Sequence, residues 1–301
     1  MLSIAAITLL CFIFGAIVGS FLGVCIYRIP MGRYEPVHPG IRELAREVTV
    51  WRPARSFCPR CERQLLWWHN IPVVSFFLLR GRCSFCTTRI PLRYPLLEWL
   101  TGALCVASYL CFGLTATGYA VFAVLCALVV VAFIDIDYMI IPDKITYPGT
   151  ALGLIIAAAN QRTFSQTSRP LLPYPFVPDL AQAGMGLLLG PGVLLAVWAL
   201  YWLVRRREGL GLGDIKLLAL VGAMFGAEAA WFTILLGSIL GSLFGLAAIL
   251  SRRQSLSAYI PFGPYLVAAA ITYLLKLDVL LPHLLFSLDT ASPWKMLREP
   301  W

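Results

Sequence analysis

Long runs of apolar residues alternate with short polar segments along almost the whole chain. Each run approaches the length of about 20 residues that an α-helix needs to cross the hydrocarbon core of a bilayer. We therefore predict an all-α polytopic membrane protein with about eight transmembrane helices. The predicted helices cover residues 4–26, 96–113, 117–135, 144–160, 181–204, 214–227, 229–250 and 260–281.

Composition supports this membrane class. The chain has 301 residues, of which 59% are hydrophobic and 13% are charged, whereas charged residues make up about 25% of an average soluble domain. The first apolar run is too long for the core of a signal peptide, lacks a basic segment before it and has no convincing cleavage site after it. We predict that this run stays in the protein as its first transmembrane helix.

Basic residues are concentrated in three segments between the apolar runs. Residues 27–94 hold twelve arginines and four acidic residues, and further arginines occupy 205–207 and 252–253. Because excess positive charge marks cytoplasmic loops, we predict that these segments are cytoplasmic, which requires an outside N-terminus and eight crossings. Topology then explains the net charge of +9, and we predict a lipid bilayer, not a nucleic acid, as the surrounding partner.

This topology divides the chain into four parts. Residues 1–26 are predicted to form the first transmembrane helix, and 27–94 a small cytoplasmic insertion. Residues 95–281 are predicted to form the transmembrane core, and 282–301 a short extracytoplasmic tail. The Pro-rich loop 161–180 falls on the outer side as well.

Two groups of aspartates are predicted at the cytoplasmic ends of helices. Asp135 ends the third predicted helix, with Asp137 and Asp143 close behind it, and Asp214 begins the sixth. Acids at helix ends can simply mark the water boundary, but ionisable groups at membrane depth indicate function by default. Two close carboxylates share a proton, so that one can activate a water while the other protonates a carbonyl oxygen.

Glycines precede the second acidic position in the stretch "GLGLGD". Gly209, Gly211 and Gly213 alternate with leucines directly before Asp214. They can form an ordinary flexible loop, or they can let the backbone approach a substrate strand closely. A dinucleotide-binding fingerprint is not predicted, because no βαβ unit surrounds these glycines.

Four cysteines in the basic insertion form two C-x2-C pairs. Cys58 and Cys61 are followed, after 21 residues, by Cys83 and Cys86. Paired thiolates at such spacing suit a closed tetrahedral zinc site. Disulfides are the rival interpretation, against which a reducing cytosol argues, and nothing nearby indicates a thioredoxin-like redox relay. We predict a structural zinc ion bound by all four cysteines.

Five segments together resemble the type IV prepilin peptidases, bacterial membrane aspartyl proteases with a Gly-x-Gly-Asp signature. The second active-site motif of that family resembles EGLGLGDIKLLALVGAMFG (208–226), and the first resembles FIDIDYMIIPDKIT (133–146). The other three are similar to family segments in family order: GSFLGVCIYRIP (19–30), WWHNIPVVSFFLLRGRCSFC (67–86) and YIPFGPYL (259–266). By this resemblance Asp135 and Asp214 are the catalytic pair, supported by the loop glycines Gly211 and Gly213.

The resemblance also implies a substrate, a second activity and a location. The enzyme is expected to remove the basic leader from type IV prepilins or type II secretion pseudopilins at the cytoplasmic face of the bacterial inner membrane. Long members are expected to methylate the new N-terminus with S-adenosylmethionine, although no residue of this sequence indicates the methyl-donor site. Gly23 departs from the family pattern, which has Asn at that position, and this departure puts methylation in doubt.

Two other classes of function compete with this interpretation. A proton-coupled transporter would use Asp135 and Asp214 as a relay, but transporters usually carry inverted repeats and binding residues near the midplane. The sequence shows no internal repeat, and both acids are predicted at one membrane face. A zinc-dependent scaffold without catalysis would explain the four cysteines but not the two acidic motifs. The oligomeric state is not predicted.

Overall fold

The protein is built from helices, as expected. The computed structural model describes residues 3–30, 50, 58, 60–61, 63–177, 179–206, 211–251 and 261–275, and within these ranges it contains no strand longer than an isolated bridge. A 3-10 turn, Trp67–Asn70, precedes the second α-helix. The α-helices are α1 (Ile4–Arg28), α2 (Val74–Leu78), α3 (Arg93–Phe112), α4 (Ala116–Tyr138), α5 (Asp143–Thr167), α6 (Leu180–Arg205), α7 (Leu212–Leu250) and α8 (Gly263–Leu274).

Among these residues, five helices are long and apolar enough to cross a membrane: α1, α3, α4, α6 and α7. The other two apolar segments of the prediction also form helices. Helix α5 spans 25 residues but is less apolar, and α8 has 12 described residues. Every predicted apolar run is therefore helical where it is described, which confirms the fold class, while the count of eight crossings stays a prediction.

Two predicted boundaries differ from the structure. Helix α5 continues to Thr167, so the first seven residues of the predicted loop 161–180 are helical. The polar last two turns of the helix need no hydrocarbon burial to stay helical. Helix α7 runs for 39 residues across the predicted break between 227 and 229. Its backbone is non-helical at Gly226, where φ is 86°, a value that favours glycine. The chain reverses direction there, because a Cβ added to Gly190 on α6 would lie 3.0 Å from Ala230 Cβ and 3.2 Å from the Leu218 carbonyl oxygen, which belong to opposite sides of Gly226. The predicted break is therefore real and lies at Gly226.

The chain forms two compact units, which meet in sequence between Cys126 and Ala127. In the first unit, α1 packs on α3 along a stripe of small residues. A Cβ atom added to Gly15 would lie 2.6 Å from Cys105 Cβ, and one added to Gly19 would lie 2.9 Å from Glu98 Cα. Small residues spaced four apart let the backbones of membrane helices approach closely.

In the second unit, α7 is the central element and contacts α5, α6 and α8. Its first half is almost entirely buried; Leu217, Leu218 and Ala223 have no exposed surface. Helix α7, whose first turn carries Asp214, is therefore packed against three neighbouring helices.

The connection between α5 and α6 is anchored at the kink of α7. Asn160 is fully buried, and its side chain donates hydrogen bonds to the carbonyls of Leu172 (2.9 Å) and Val177 (2.8 Å). The Val177 N–H donates in turn to the Met224 carbonyl (3.1 Å), which precedes the kink at Gly226. This connection satisfies backbone groups that a broken helix would otherwise leave unpaired.

Candidate active site and cysteine cluster

The two predicted catalytic aspartates lie together in the second unit. Asp135 is in the last turn of α4 and Asp214 is in the first turn of α7. Each side chain is only 6% exposed, and the two carboxylates are near enough to interact electrostatically. Their positions are 79 residues apart in sequence (214 − 135), so the fold, not local sequence, brings the pair together.

Asp135 accepts a hydrogen bond from the backbone at the start of α8. The Gly263 N–H donates to Asp135 Oδ2 at 3.0 Å. A side chain at this position would displace the Asp135 carboxylate, because an added Cβ would lie 2.6 Å from the same oxygen. Gly263 is not among the predicted site residues, although it lies in the family-like segment 259–266. The signal was present in "PFGP", where Pro261 and Pro264 flank the Phe-Gly pair and mark the start of a helix.

The two loop glycines lie where close contacts form around Asp214. An added Cβ on Gly211 would lie 3.3 Å from Asp214 Oδ2, and one on Gly213 would lie 3.0 Å from Ile141 Cβ. Ile141 is buried and belongs to the turn between α4 and α5. Gly213 thus lets the start of α7 pack directly on the turn that follows Asp135. Gly209 lies outside the described residues.

An ion pair forms between two residues that follow the two aspartates in sequence. Lys216 Nζ is 2.7 Å from Asp143 Oδ1, and it also lies 5.3 Å from the centre of the Tyr147 ring. The pair joins α7 to the first turn of α5. Asp143, which was predicted only to lie near Asp135, therefore contacts the element that carries Asp214. Asp137 is exposed.

The four cysteines of the insertion form one cluster. The Sγ atoms of Cys58, Cys61, Cys83 and Cys86 all lie within 4.8 Å of one another. The sulfurs of Cys58 and Cys86 are 3.8 Å apart, close to the edge of about 3.8 Å expected for a tetrahedron with zinc–sulfur bonds of about 2.3 Å. This distance far exceeds that of a disulfide, and all four are free thiols. The cluster could therefore hold a metal ion such as zinc.

Tight turns present the cysteines to a common centre. The Cys58 N–H donates to the Arg63 carbonyl at 3.0 Å, and the Cys83 N–H donates to the Thr88 carbonyl at 2.8 Å. Hydrogen bonding with Thr88 lowers the pKa of the Cys86 thiol to about 6, which favours the thiolate form that binds a metal ion. Burial raises the pKa of Cys58 to about 11, and a bound cation would reverse that effect.

His69 completes the packing beside the cysteine cluster. It is 6% exposed, it accepts a hydrogen bond from the Leu66 N–H through Nδ1 at 3.3 Å, and its ring contacts that of Phe85 in an edge-on arrangement at 5.6 Å. Phe85 lies between the second pair of cysteines. The insertion thus has a small core, which the sequence pattern alone did not indicate.

Comparison with protein families defines the class of this molecule. Residues 13–112 match the model of the "Bacterial Peptidase A24 N-terminal domain", and residues 122–246 match that of the "Type IV leader peptidase family". Both the fold and the paired buried aspartates agree with these matches. The chain is a polytopic membrane enzyme of the peptidase A24 class.

Individual relatives extend the match over most of the chain. A protein of Stutzerimonas stutzeri is 34% identical over 281 residues, which cover 90% of this chain and 91% of the relative. A protein of Aeromonas hydrophila is 36% identical, covering 86% and 87%, and one of Pseudomonas putida is 35% identical, covering 85% and 86%. All three are named "Prepilin leader peptidase/N-methyltransferase". No solved structure matches the chain. The protein belongs to the type IV leader peptidase family.

Family membership decides between the predicted classes of function. It confirms the resemblance that the five sequence segments indicated, and it gives no support to the proton-coupled transporter. A non-catalytic zinc scaffold is likewise inconsistent with an enzyme family. The catalytic role of the two aspartates and the identity of the metal are proposals, taken up next.

Proposed function

We propose that the protein removes the basic leader from type IV prepilins or type II secretion pseudopilins at the cytoplasmic face of the bacterial inner membrane, and then methylates the new N-terminus. The observation that carries the first activity is the burial of Asp135 and Asp214, near enough to interact electrostatically, at the end of α4 and the start of α7. The names of the relatives support both the substrate class and the second activity.

The aspartate pair can hydrolyse a peptide bond without a metal ion. One carboxylate, acting as base, takes a proton from a water molecule, whose oxygen attacks the scissile carbonyl carbon. The other carboxyl donates its proton to the carbonyl oxygen, which gives a neutral gem-diol. In the collapse, the first carboxyl protonates the leaving nitrogen, the second recovers a proton from the gem-diol, and the C–N bond breaks. Both groups return to their starting states.

The close contacts around the pair hold the geometry that this reaction needs. Gly263 fixes one oxygen of Asp135, and the packing of Gly213 on Ile141 fixes the start of α7 against the α4–α5 turn. Positioning of reacting groups in this way can supply several kcal/mol of a reaction barrier. We assign Gly211 and Gly213 to the support of the active-site loop for this reason.

Zinc is the metal that we propose for the cysteine cluster, and its role is structural. Cys58, Cys61, Cys83 and Cys86 would fill all four positions of a tetrahedral ion, which leaves none for a water or a substrate. The ion would supply cross-links to an insertion whose own core is small. Such a site contributes folding free energy directly.

Methylation would take its methyl group from S-adenosylmethionine, and no set of described residues is assigned to hold this donor. The space around Gly23, the position that departs from the family pattern, admits a Cβ atom. An added Cβ would lie 3.7 Å from Leu97 Cδ2 and Tyr94 Cδ1, which is ordinary contact. A side chain can therefore begin at this position without a clash, and we keep methylation in the proposal.

The decisive experiment is cleavage of a purified prepilin by the full-length enzyme and its Asp135→Asn and Asp214→Asn variants, with mass spectrometry of the pilin. Each variant should leave the leader attached, because an amide cannot act as the base or share the proton.

Asp137→Asn is the matched control, because this exposed aspartate lies one half-turn away on the same helix, and its variant should retain most activity. Normal processing by a folded Asp214→Asn enzyme would exclude the aspartyl mechanism. Mass analysis of the cleaved product reports methylation separately.

A further inference from the structure

We propose that the Gly263 N–H holds Asp135 as the ionised member of the aspartate pair, so that Asp135 is the base that activates water and Asp214 is the proton donor. This assignment rests on the proposed peptidase function and divides its two roles between the two residues. Gly263 is then a positioning residue, which acts on the substrate only through Asp135.

The hydrogen bond from Gly263 is directed at one oxygen of one carboxylate. Gly263 is the first residue of α8, followed by Pro264, and its N–H belongs to the unpaired donors at the positive end of a helix. The bond to Asp135 Oδ2 is buried and 3.0 Å long. A carboxylate oxygen is a stronger acceptor than the carbonyl oxygen of a protonated carboxyl, so this contact favours the charged form of Asp135 over the neutral form.

Asp214 has a different environment. It is as deeply buried as Asp135, but within the described part of the chain its carboxylate accepts no hydrogen bond, and Asp135 is the charged group that acts on it. It lies in the first turn of α7, whose dipole favours negative charge, whereas Asp135 lies in the last turn of α4, whose dipole opposes it. At Asp135, the positive end of α8 offsets the unfavourable end of the α4 dipole. The direct charge-assisted hydrogen bond from Gly263 then stabilises an ionised Asp135 more than the α7 dipole stabilises an ionised Asp214.

Other charged groups on the surrounding helices do not change which of the two aspartates is ionised. On α7 and α5, Lys216 and Asp143 neutralise each other at 2.7 Å. On α4, Asp137 is exposed to solvent, where water screens its charge. The described start of α8 brings no acidic or basic side chain next to Asp135, since residues 261–266 are Pro, Phe, Gly, Pro, Tyr and Leu.

Two reagents distinguish an ionised carboxylate from a protonated carboxyl. An epoxide is opened by a carboxylate oxygen, which forms an ester while the epoxide oxygen takes a proton from water. A diazo carbon takes the proton of a neutral carboxyl and loses nitrogen, and the carboxylate left behind bonds to that carbon. We would prepare a leader-peptide analogue with either group at the position of the scissile bond, treat the full-length enzyme in lipid nanodiscs, and map the esters by mass spectrometry.

We expect the epoxide on Asp135 and the diazo-derived ester on Asp214, with loss of cleavage in both cases. An epoxide ester on Asp214, or a diazo-derived ester on Asp135, would overturn the assignment while leaving the peptidase function intact. An active enzyme that neither reagent inactivates would also count against it, because a poised carboxylate at the scissile bond must react. Failure of the function itself is recognised separately, by cleavage that survives Asp135→Asn and Asp214→Asn.

Gly263→Ala tests the positioning role. The added Cβ would meet Asp135 Oδ2 at 2.6 Å, so the carboxylate must leave the N–H. We expect cleavage to fall about 100-fold and epoxide labelling to move away from Asp135. The control is Gly184→Ala, where an added Cβ has nothing within 4 Å; it should keep both cleavage and labelling. Unchanged labelling in a folded Gly263→Ala enzyme would show that the N–H does not select the ionised residue.

Discussion

Lys216 Nζ and Asp143 Oδ1 lie 2.7 Å apart and join the start of α7 to the start of α5. Each residue of the ion pair follows one of the two aspartates in sequence. Asp143 follows Asp135 after the short turn between α4 and α5, and Lys216 follows Asp214 by two residues. The ion pair therefore connects the two segments that must stay in register for Asp135 and Asp214 to act together. Because its side chains are about one-third exposed (32% and 30%), its direct contribution to stability is small.

Loss of this ion pair should affect catalysis more than stability. Lys216→Met should lower kcat by about 10- to 100-fold, because displacement by about 1 Å is enough for such losses. The free energy of unfolding should fall by no more than about 1 kcal/mol, as for other exposed pairs. Steady-state cleavage of a prepilin and thermal unfolding in the same detergent provide the two measurements.

Conservative and reversed variants separate this effect from simple loss of a lysine. Lys216→Arg should retain most of kcat, since the pair can form again. The double variant Asp143→Lys with Lys216→Asp should recover activity relative to either single change. If Lys216→Met cleaves normally, or loses activity only in proportion to its loss of folded protein, the pair does not position the aspartates.

Glycine spacing on α1 leads to a prediction about stability. Gly19→Ala places a Cβ 2.9 Å from the backbone of Glu98 on α3, and such overpacking costs about 1–3 kcal/mol. Gly23→Ala, the same substitution one turn later on the same helix, meets its nearest atoms at 3.7 Å and should be neutral or slightly stabilising. Thermal unfolding of both variants in one detergent measures the difference. Equal melting temperatures would contradict the close α1–α3 packing.

The sequence predicted those features that depend on local composition. Apolar runs of membrane-spanning length located the helices, because a bilayer imposes both length and composition on them. The C-x2-C pairs identified the cysteine cluster, because each pair provides two ligands within one tight turn. The common face of Asp135 and Asp214 was predicted from helix order and loop charge, and the structure brings the two residues together.

Features that depend on contacts between distant segments could not be predicted in this way. The bond from Gly263 to Asp135 joins residues 128 positions apart, and it depends on where α8 begins relative to the end of α4. Asn160 appeared to be a polar residue ending a helix, but its amide anchors the following connection from a fully buried position. His69 is not among the predicted site residues, but it packs against Phe85 beside the cysteines.

Membrane topology provides a further prediction. Reporter fusions ending at residues 140 and 208 should fluoresce with a cytoplasmic reporter, since loops 136–143 and 205–213 are both predicted inside together with 27–94 and 251–259. A fusion ending at residue 170, in the connection between α5 and α6, should instead activate a periplasmic phosphatase. Opposite locations for the fusions at 140 and 208 would separate Asp135 from Asp214 and remove the proposed site.

Metal analysis tests the role of the cysteine cluster. We expect one zinc ion per chain in the purified enzyme, retained in Asp214→Asn, because the ion binds in the insertion and takes no part in the aspartate chemistry. Cys83→Ser removes a buried ligand and should abolish stoichiometric zinc and lower the yield of folded protein. Cleavage should fall in proportion to that yield.

Cys111→Ser is the matched control, since this cysteine lies in α3, outside the cluster, and its variant should keep the zinc. Metal-free protein with disulfides between Cys58 and Cys61 and between Cys83 and Cys86, isolated without exposure to oxidant, would exclude the zinc site.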